Sequence, residues 1–122
     1  MLLTSLLVAV SCVALIGAQT FTGDATYTTP GLGACEVNSR ASDIVIAMNR
    51  EQFGSPARGR DSVWCNKCVK VTATKFGTSV TARVLDRSSG KKGQLVLSEN
   101  AFKQLASTDE GRIAISWKQV PC

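Results

Sequence analysis

Cysteines are the residues with the most evident chemistry in this chain. Cys65 and Cys68 form a C-x-x-C pair, a spacing found in zinc knuckles and in thioredoxin-type redox motifs. A zinc ribbon needs a second such pair or two histidines, and the sequence contains no histidine. A redox pair usually lies between a strand and a helix, whereas Cys68 opens a strand-like run. We therefore predict structural disulfides, with no metal and no cofactor.

The first eighteen residues have the composition of a secretory signal peptide. Residues 1–18 contain no charged side chain, and residues 6–16 are almost entirely apolar. This run is short for a membrane span and fits the hydrophobic region of a leader, although an uncleaved anchor is the alternative. Small residues at Gly17 and Ala18 predict cleavage before Gln19. The expected product is a secreted, extracellular protein with a single domain at 19–122 and no membrane contact after cleavage.

Removal of this leader changes the cysteine count. Cys12 leaves with it, and the cysteines that remain in an oxidising compartment are Cys35, Cys65, Cys68 and Cys122. Four cysteines allow three pairings, and the spacing alone does not choose among them. A domain of this size has a core that is only marginally sufficient. Two disulfides are therefore expected, each contributing roughly 3–4 kcal/mol in the chain-entropy model.

The charge balance favours acidic partners. The chain has 14 Lys and Arg against 9 Asp and Glu, a net charge of +5. Pectic polymers, other anionic glycans and negatively charged protein surfaces are the partner classes that suit this balance. The basic residues are scattered, with local pairs at residues 58–60 and 91–92. Nucleic-acid binding usually shows denser clusters with stacking aromatics, so we predict no nucleic-acid partner and take a monomer as the default.

Strand-like segments dominate the mature chain. Alternating apolar residues predict a hairpin with one buried face around a turn at Phe76 and Gly77. Residues 43–48 form an apolar run that suits a buried strand or a short helical segment. The predicted strands are residues 23–28, 43–48, 68–74, 80–84, 94–97 and 113–117. Gly, Pro, Ser and charged residues predict loops at 53–61 and 88–93.

One helix is expected just before the last strand. Ser98 is a favourable N-cap, and Glu99 follows it at the positive end of the helix dipole. Ala101, Phe102 and Leu105 then form one apolar stripe on a helix of two to three turns. Several short strands with a single helix predict an all-β class domain, either a small barrel or a sandwich.

Six short motifs, in their order and spacing, resemble the first domain of expansins. They are similar also to loosenins, barwin-like proteins, plant-natriuretic-peptide-like proteins and bacterial rare lipoprotein A. The motifs lie at residues 23–27, 33–35, 65–68, 84–86, 97–102 and 117–122, and so cover nearly the whole mature chain. The resemblance implies a six-stranded double-psi β-barrel with one short helix. It also implies the pairing Cys35 with Cys65 and Cys68 with Cys122.

The same resemblance places a catalytic acid in an open groove, and this chain lacks it. The family's key Asp directly precedes the Leu-Ser before the helix, and Val96 occupies that position here. An isopropyl group cannot transfer a proton, so we expect no enzyme activity. Asp86 matches a family Asp beside the groove. It is alternatively a structural acceptor of backbone N–H bonds.

A groove without its acid points to binding. Thr26 and Tyr27 match the pair that lines the family's glycan-binding surface, and Tyr or Trp rings stack on sugars. Asp86 and Trp64 are the further groove candidates, whereas Trp117 is expected in the core. The first hypothesis is therefore non-catalytic binding of cell-wall polysaccharide through Thr26, Tyr27, Asp86 and Trp64.

Two other functions stay open at the level of the sequence. The chain can be a secreted protein-binding module, such as a cysteine-protease inhibitor or an effector, that uses the loops 53–61 and 87–92. Weak glycan cleavage is the third hypothesis. It requires Asp86 or Asp24 to act in the groove, where glycoside hydrolysis normally needs two carboxyl groups.

Overall fold

The computed structural model describes residues 18–122, so the predicted signal peptide, with Cys12, lies outside the described residues apart from Ala18. Its six strands are β1 Thr20–Thr28, β2 Val45–Asn49, β3 Cys68–Ala73, β4 Ser79–Ser88, β5 Leu95–Ser98 and β6 Ile113–Val120. Two short helices, α1 Arg50–Phe53 and α2 Glu99–Lys103, and two single 3-10 turns, Gly59–Asp61 and Thr108–Glu110, complete it. No helix within this range is long and apolar enough to cross a membrane.

The six strands close into one barrel, in the order β1-β5-β2-β4-β3-β6. Two of the pairs are parallel, β1 with β5 and β2 with β4, and the other four are antiparallel. Each strand has a neighbour on either side, so closure removes the exposed sheet edges. The prediction of a mainly β, six-stranded barrel is confirmed.

Alternating side chains fill the barrel interior, as the sequence pattern predicted. Val69 and Val71 of β3 and Ile113 and Ile115 of β6 are buried. Trp117 continues the inward face of β6 and is only 1% exposed, which confirms it as a core residue. Since a buried indole N–H needs an acceptor, its bond to the carbonyl of Gly93 at 2.9 Å matters for stability.

The helices differ in part from the prediction. Ser98 caps α2 as expected, because its Oγ accepts from the N–H of Ala101. The helix has five residues rather than two to three turns. Bonds from Gln104 and Leu105 to carbonyls three residues back tighten the chain immediately after it. The four-residue α1 was not predicted; Asn49 caps it by accepting from the N–H of Gln52.

The two disulfides are those implied by the resemblance. Cys35 bonds with Cys65, which ties the segment between β1 and β2 to the segment before β3. Cys68 bonds with Cys122 and fastens the C-terminal residue to the start of β3. The first disulfide joins two segments that lie outside the strands, and the second joins a strand to the residue at position 122.

Candidate functional site

Three positions singled out by the sequence lie in one row across the barrel wall. Thr26 of β1 is the register partner of Val96 of β5, which in turn is the partner of Ala47 of β2. Ala47 is the partner of Asp86 of β4. Because neighbouring strands lie about 4.8 Å apart, the row from Thr26 to Asp86 spans roughly 14 Å.

An irregularity in the pairing of β2 with β4 places Asp86 in this row. Ile46 is paired with Val84, but the next residue, Ala47, is paired with Asp86. Leu85 is thus an extra residue on β4, a β-bulge. Without the bulge Ala47 would face Leu85. The bulge therefore brings the carboxylate beside Ala47, where an apolar side chain would otherwise stand.

The row forms the floor of a groove. On one side of Val96 the groove has a volume of about 210 Å³, with β2, β4 and β5 on one wall and residues 28–39 on the other. On the other side of Val96 lies a depression of about 230 Å³, which Thr26, Asp24 and Arg112 line. Val96 lines both depressions, and the two together are called the groove.

Asp86 holds the groove wall in place with one of its two carboxylate oxygens. Oδ1 accepts the backbone N–H of Ala34 and the backbone N–H of Arg87, each at 2.8 Å. The backbone N–H of Cys35 also donates to the carbonyl of Leu85, at 3.1 Å. These bonds are the structural role considered for Asp86 from the sequence. Among residues 18–122 no group donates a hydrogen bond to Oδ2.

Two carboxylates, Asp86 and Asp24, line the groove. At the centre of the row Val96 contributes only an isopropyl group. Asp24, at the far end, pairs with the guanidinium of Arg112 at 3.6 Å. With Oδ1 of Asp86 bound to two backbone N–H groups, the arrangement offers polar contacts at its ends and an apolar floor in the middle. Such an arrangement suits a ligand that is held by shape and hydrogen bonds.

Tyr27 and Trp64 lie away from this groove. Successive residues of a strand point to opposite faces, so Tyr27 cannot share the groove face with Thr26. Its ring packs on Phe102 with centroids 4.8 Å apart, and its hydroxyl donates to the carbonyl of Thr108. Trp64 packs edge-on against Trp117, at 5.9 Å. A contact of either with a glycan stays a prediction, and it would involve a surface other than the groove.

The groove also contains residues that the sequence did not indicate. Ala47 lies in the middle of the floor, and an alanine in an apolar run gives no signal of a binding site. Pro30 and Gly31, in the segment after β1, line the wall. Gly33 is required there because a Cβ would collide with the carbonyl of Leu85. Only the three-dimensional structure shows that these residues lie together.

Two loops linked by Cys35–Cys65 also form an exposed surface, and one of them is the segment 28–39 that lines the groove. The guanidinium of Arg60 pairs with the carboxylate of Glu36 at 3.2 Å, so an ion pair joins the same two loops. Leu32 and Val63 are 69% and 80% exposed on them. Exposed aliphatic side chains on rigidly held loops suit contact with another protein. Within residues 18–122 no group of three His, Cys, Asp or Glu side chains is placed to hold a metal ion.

A closed six-stranded barrel with an open groove across one wall defines the class of this protein, and the comparisons with known proteins agree. The Barwin family model matches residues 36–122. The chain belongs to the Barwin family, as the resemblance in its motifs indicated.

Solved structures share this fold. The Streptomyces papain inhibitor is 31% identical, with a TM-score of 0.75 over 84% of this chain and 94% of the inhibitor. An expansin of Clavibacter michiganensis, solved as a mutant in complex with cellohexaose, is 29% identical with a TM-score of 0.69. This chain covers 84% of its own length in that match and half the length of the expansin. The fungal elicitor cerato-platanin is 21% identical, with a TM-score of 0.58 over 80% of this chain and 92% of the cerato-platanin chain. At this identity the match supports the fold alone. These relatives are double-psi β-barrels, so the fold prediction is confirmed in full.

Proposed function

We propose that the protein is secreted and binds cell-wall polysaccharide in the groove without cleaving it. The observation that supports this most is the row Thr26, Val96, Ala47 and Asp86, which combines an apolar centre with polar ends. The related expansin was solved with cellohexaose, which makes a β-linked glucan a reasonable first ligand. The two disulfides are typical of proteins from oxidising compartments, in agreement with secretion.

Each part of the groove has a role in this proposal. Val96 and Ala47 provide an apolar floor for the C–H face of a sugar ring, and polar groups at the rim fix its orientation. The hydroxyl of Thr26 donates to a sugar oxygen, and Oδ2 of Asp86 accepts from a sugar hydroxyl. No acid stands at Val96 to protonate a leaving oxygen, so the bound chain stays intact. Binding then loosens non-covalent contacts between glycans or masks the chains.

A bulky residue in the groove floor tests the proposal. We expect Ala47→Phe to abolish retention on insoluble cellulose, because the ring occupies the space between Val96 and Asp86. Thr81→Phe places the same ring on an exposed strand position of β4, outside the groove, and serves as the matched control. The measurement is a pull-down on cellulose, chitin and pectin across salt concentrations, with reducing-sugar release assayed in parallel.

Four results would argue against this function. Loss of retention in the Thr81→Phe control as well would point to misfolding or to another surface. Retention that vanishes with modest salt would indicate binding by charge rather than by the groove. Release of reducing sugar that disappears in Asp86→Asn would mean that the groove cleaves glycan. No retention on any of the three polymers would remove glycan binding altogether.

A second function, binding of a cysteine protease, is favoured by a specific observation. The papain inhibitor is similar over nearly its whole length, and the loops joined by Cys35–Cys65 expose Leu32 and Val63. We expect papain inhibition, if present, to fall with Leu32→Asp and Val63→Asp and to be unaffected by Ala47→Phe. The reverse dependence, or no inhibition across a panel of cysteine proteases, would exclude these loops as an inhibitory surface.

A further inference from the structure

A pair of lysines faces outward on the part of the barrel wall away from the groove. Lys70 of β3 and Lys118 of β6 are exposed register partners on adjacent antiparallel strands. Thr20 of β1 flanks Lys118, and Thr81 of β4 flanks Lys70, so one row runs Thr20, Lys118, Lys70, Thr81. Like charges directly opposite each other on a sheet repel, so this pair does not stabilise the barrel.

No acidic side chain balances this pair. β3, β6 and residues 79–85 of β4 contain no Asp or Glu. Of the four ion pairs found among residues 18–122, none includes Lys70 or Lys118. Arg83 adds a third cation on the same outward face of β4, two residues beyond Thr81. The face is thus positively charged and unpaired within the part of the chain that the structure describes.

The surface between the two lysines is concave and lined with hydroxyls. Lys70, Lys118, Thr20, Thr72 and Ser116 surround a depression of about 220 Å³. We call these five residues the basic face. Ammonium groups beside hydroxyls provide charge-assisted and neutral donors together, which suits a ligand that carries both carboxylates and hydroxyls.

We propose that the basic face binds an acidic polysaccharide, one whose sugar units carry carboxylates. Charge complementarity selects an anion, and the hydroxyls select a hydrated, hydroxyl-rich one. A nucleic acid fits less well, because the aromatic residue that lines this depression, Trp117, is only 1% exposed and so cannot stack on a base. A protein fits less well too, since protein interfaces need an apolar centre and none of the large exposed apolar side chains belongs to this face. This site is separate from the groove and does not depend on the function proposed for it.

The test compares two double variants that remove the same charge. Lys70→Gln/Lys118→Gln is expected to weaken binding of de-esterified polygalacturonate about tenfold, the loss expected when charge-assisted contacts are removed. Lys75→Gln/Lys91→Gln removes two exposed lysines from turns elsewhere, and its affinity is expected to stay within about twofold because long-range charge effects are largely screened. Affinities are measured by calorimetry at low and near-physiological salt, with methyl-esterified pectin as the neutral polymer.

Equal losses in the two double variants would overturn the proposal, because net charge alone would then explain binding. Equally tight binding of methyl-esterified pectin would also overturn it. So would equally tight binding of single-stranded DNA that needs the same lysines, because the face would then accept any polyanion. Retention of Lys70→Gln/Lys118→Gln on cellulose is measured as well, because it tests the groove independently of the basic face. The melting temperature of Lys70→Gln/Lys118→Gln should be no lower than that of the wild type, since a repulsion is removed. If it is lower, the affinity of the single variant Lys70→Gln is compared with that of the wild type instead.

Discussion

At the scale of the residue, the two carboxylate oxygens of Asp86 differ in their hydrogen bonds. Oδ1 accepts two backbone N–H groups, one from the groove wall at Ala34 and one from Arg87. Oδ2 has no donor among the described residues, and the side chain lines the groove. The structural role of Oδ1 and the ligand-binding role proposed for Oδ2 are therefore separable in one side chain. A pair of substitutions at this position distinguishes them.

We expect Asp86→Ala to lower the free energy of unfolding by about 2–3 kcal/mol, because two backbone N–H groups lose their acceptor. Asp86→Asn keeps a carbonyl oxygen for these bonds, so its cost is about 1 kcal/mol. Its NH₂ group replaces Oδ2, so a hydrogen-bond acceptor becomes a donor at that position. Urea unfolding measures the stabilities, and the cellulose pull-down measures binding. A stable Asp86→Asn variant with weakened retention is the expected combination.

Equal stabilities of the two variants would contradict the assignment of Oδ1 as a structural acceptor. Full glycan retention by Asp86→Asn would show that the ligand does not use Oδ2. The stability measurement and the retention measurement thus test separate statements about the same residue. Neither result depends on which glycan is bound most tightly.

Some residues of the groove were predictable from the sequence, and others were not. Motif matching found Thr26, Val96 and Asp86, which the register then placed in one row. Tyr27 was grouped with Thr26 because the two are adjacent in the motif, but adjacent residues of a strand face opposite ways. Ala47 carried no chemical signal at all. Asp86 lies opposite Ala47 because of a bulge in β4, which no local sequence feature indicated.

At the scale of the element, the turn before β5 depends on Gly93. Its φ is +90°, and a Cβ at this position would collide with the carbonyl of Thr22 on β1. The carbonyl of Gly93 also accepts the indole N–H of Trp117. The turn therefore packs directly on the neighbouring strand and on the core tryptophan. Backbone conformation and packing both require glycine here.

Comparison with a second glycine separates these two requirements. Gly77, in the turn between β3 and β4, has φ +71°, and a Cβ added there would meet only open space. We expect Gly77→Ala to lose about 1 kcal/mol, the cost of the left-handed backbone conformation. Gly93→Ala is expected to lose more than about 3 kcal/mol, because the strand must also shift. Thermal unfolding followed by circular dichroism compares the two, and equal losses would mean that the contact with Thr22 is unimportant.

Elements whose signal is local were predicted well. The hairpin of β3 and β4 and the inward face of β6 follow from alternation, and Ser98 caps α2 as its type and position indicated. The four-residue α1 escaped detection because one turn is too short for an apolar period. β1 begins earlier than expected, at Thr20, since Phe21 packs on Trp117 with ring centroids 4.7 Å apart. Tertiary packing thus extends the strand beyond its local signal.

At the scale of the whole molecule, the strand order could not be read from local patterns. β1 pairs in parallel with β5, so Ala25 lies beside Leu95, and β2 pairs in parallel with β4. Such distant pairings leave no periodic trace in the sequence, and only the family resemblance implied them. The same order decides which surfaces lie together. It places the groove on β1, β5, β2 and β4, and the basic face mainly on β3 and β6.

This separation predicts that one molecule can bind two different polymers at once. We expect the wild-type protein to retain labelled polygalacturonate on cellulose particles at low salt, by holding cellulose in the groove and the polyuronate on the basic face. Linked sites on one rigid domain make the second binding event possible without further rearrangement. Polygalacturonate alone should not sediment with cellulose. The measurement is the fluorescence retained on washed particles.

The groove variant and the basic-face variant are the controls for this simultaneous binding of two polymers. Ala47→Phe should still bind free polygalacturonate but lose retention on cellulose. Lys70→Gln/Lys118→Gln should sediment with cellulose but carry much less polyuronate than the wild type. Raised salt should release the polyuronate first, because it is held mainly by charge, and leave the protein on the cellulose. Loss of both activities in either variant would mean that one surface binds both polymers. The placement of two sites on different walls of the barrel would then have no functional consequence.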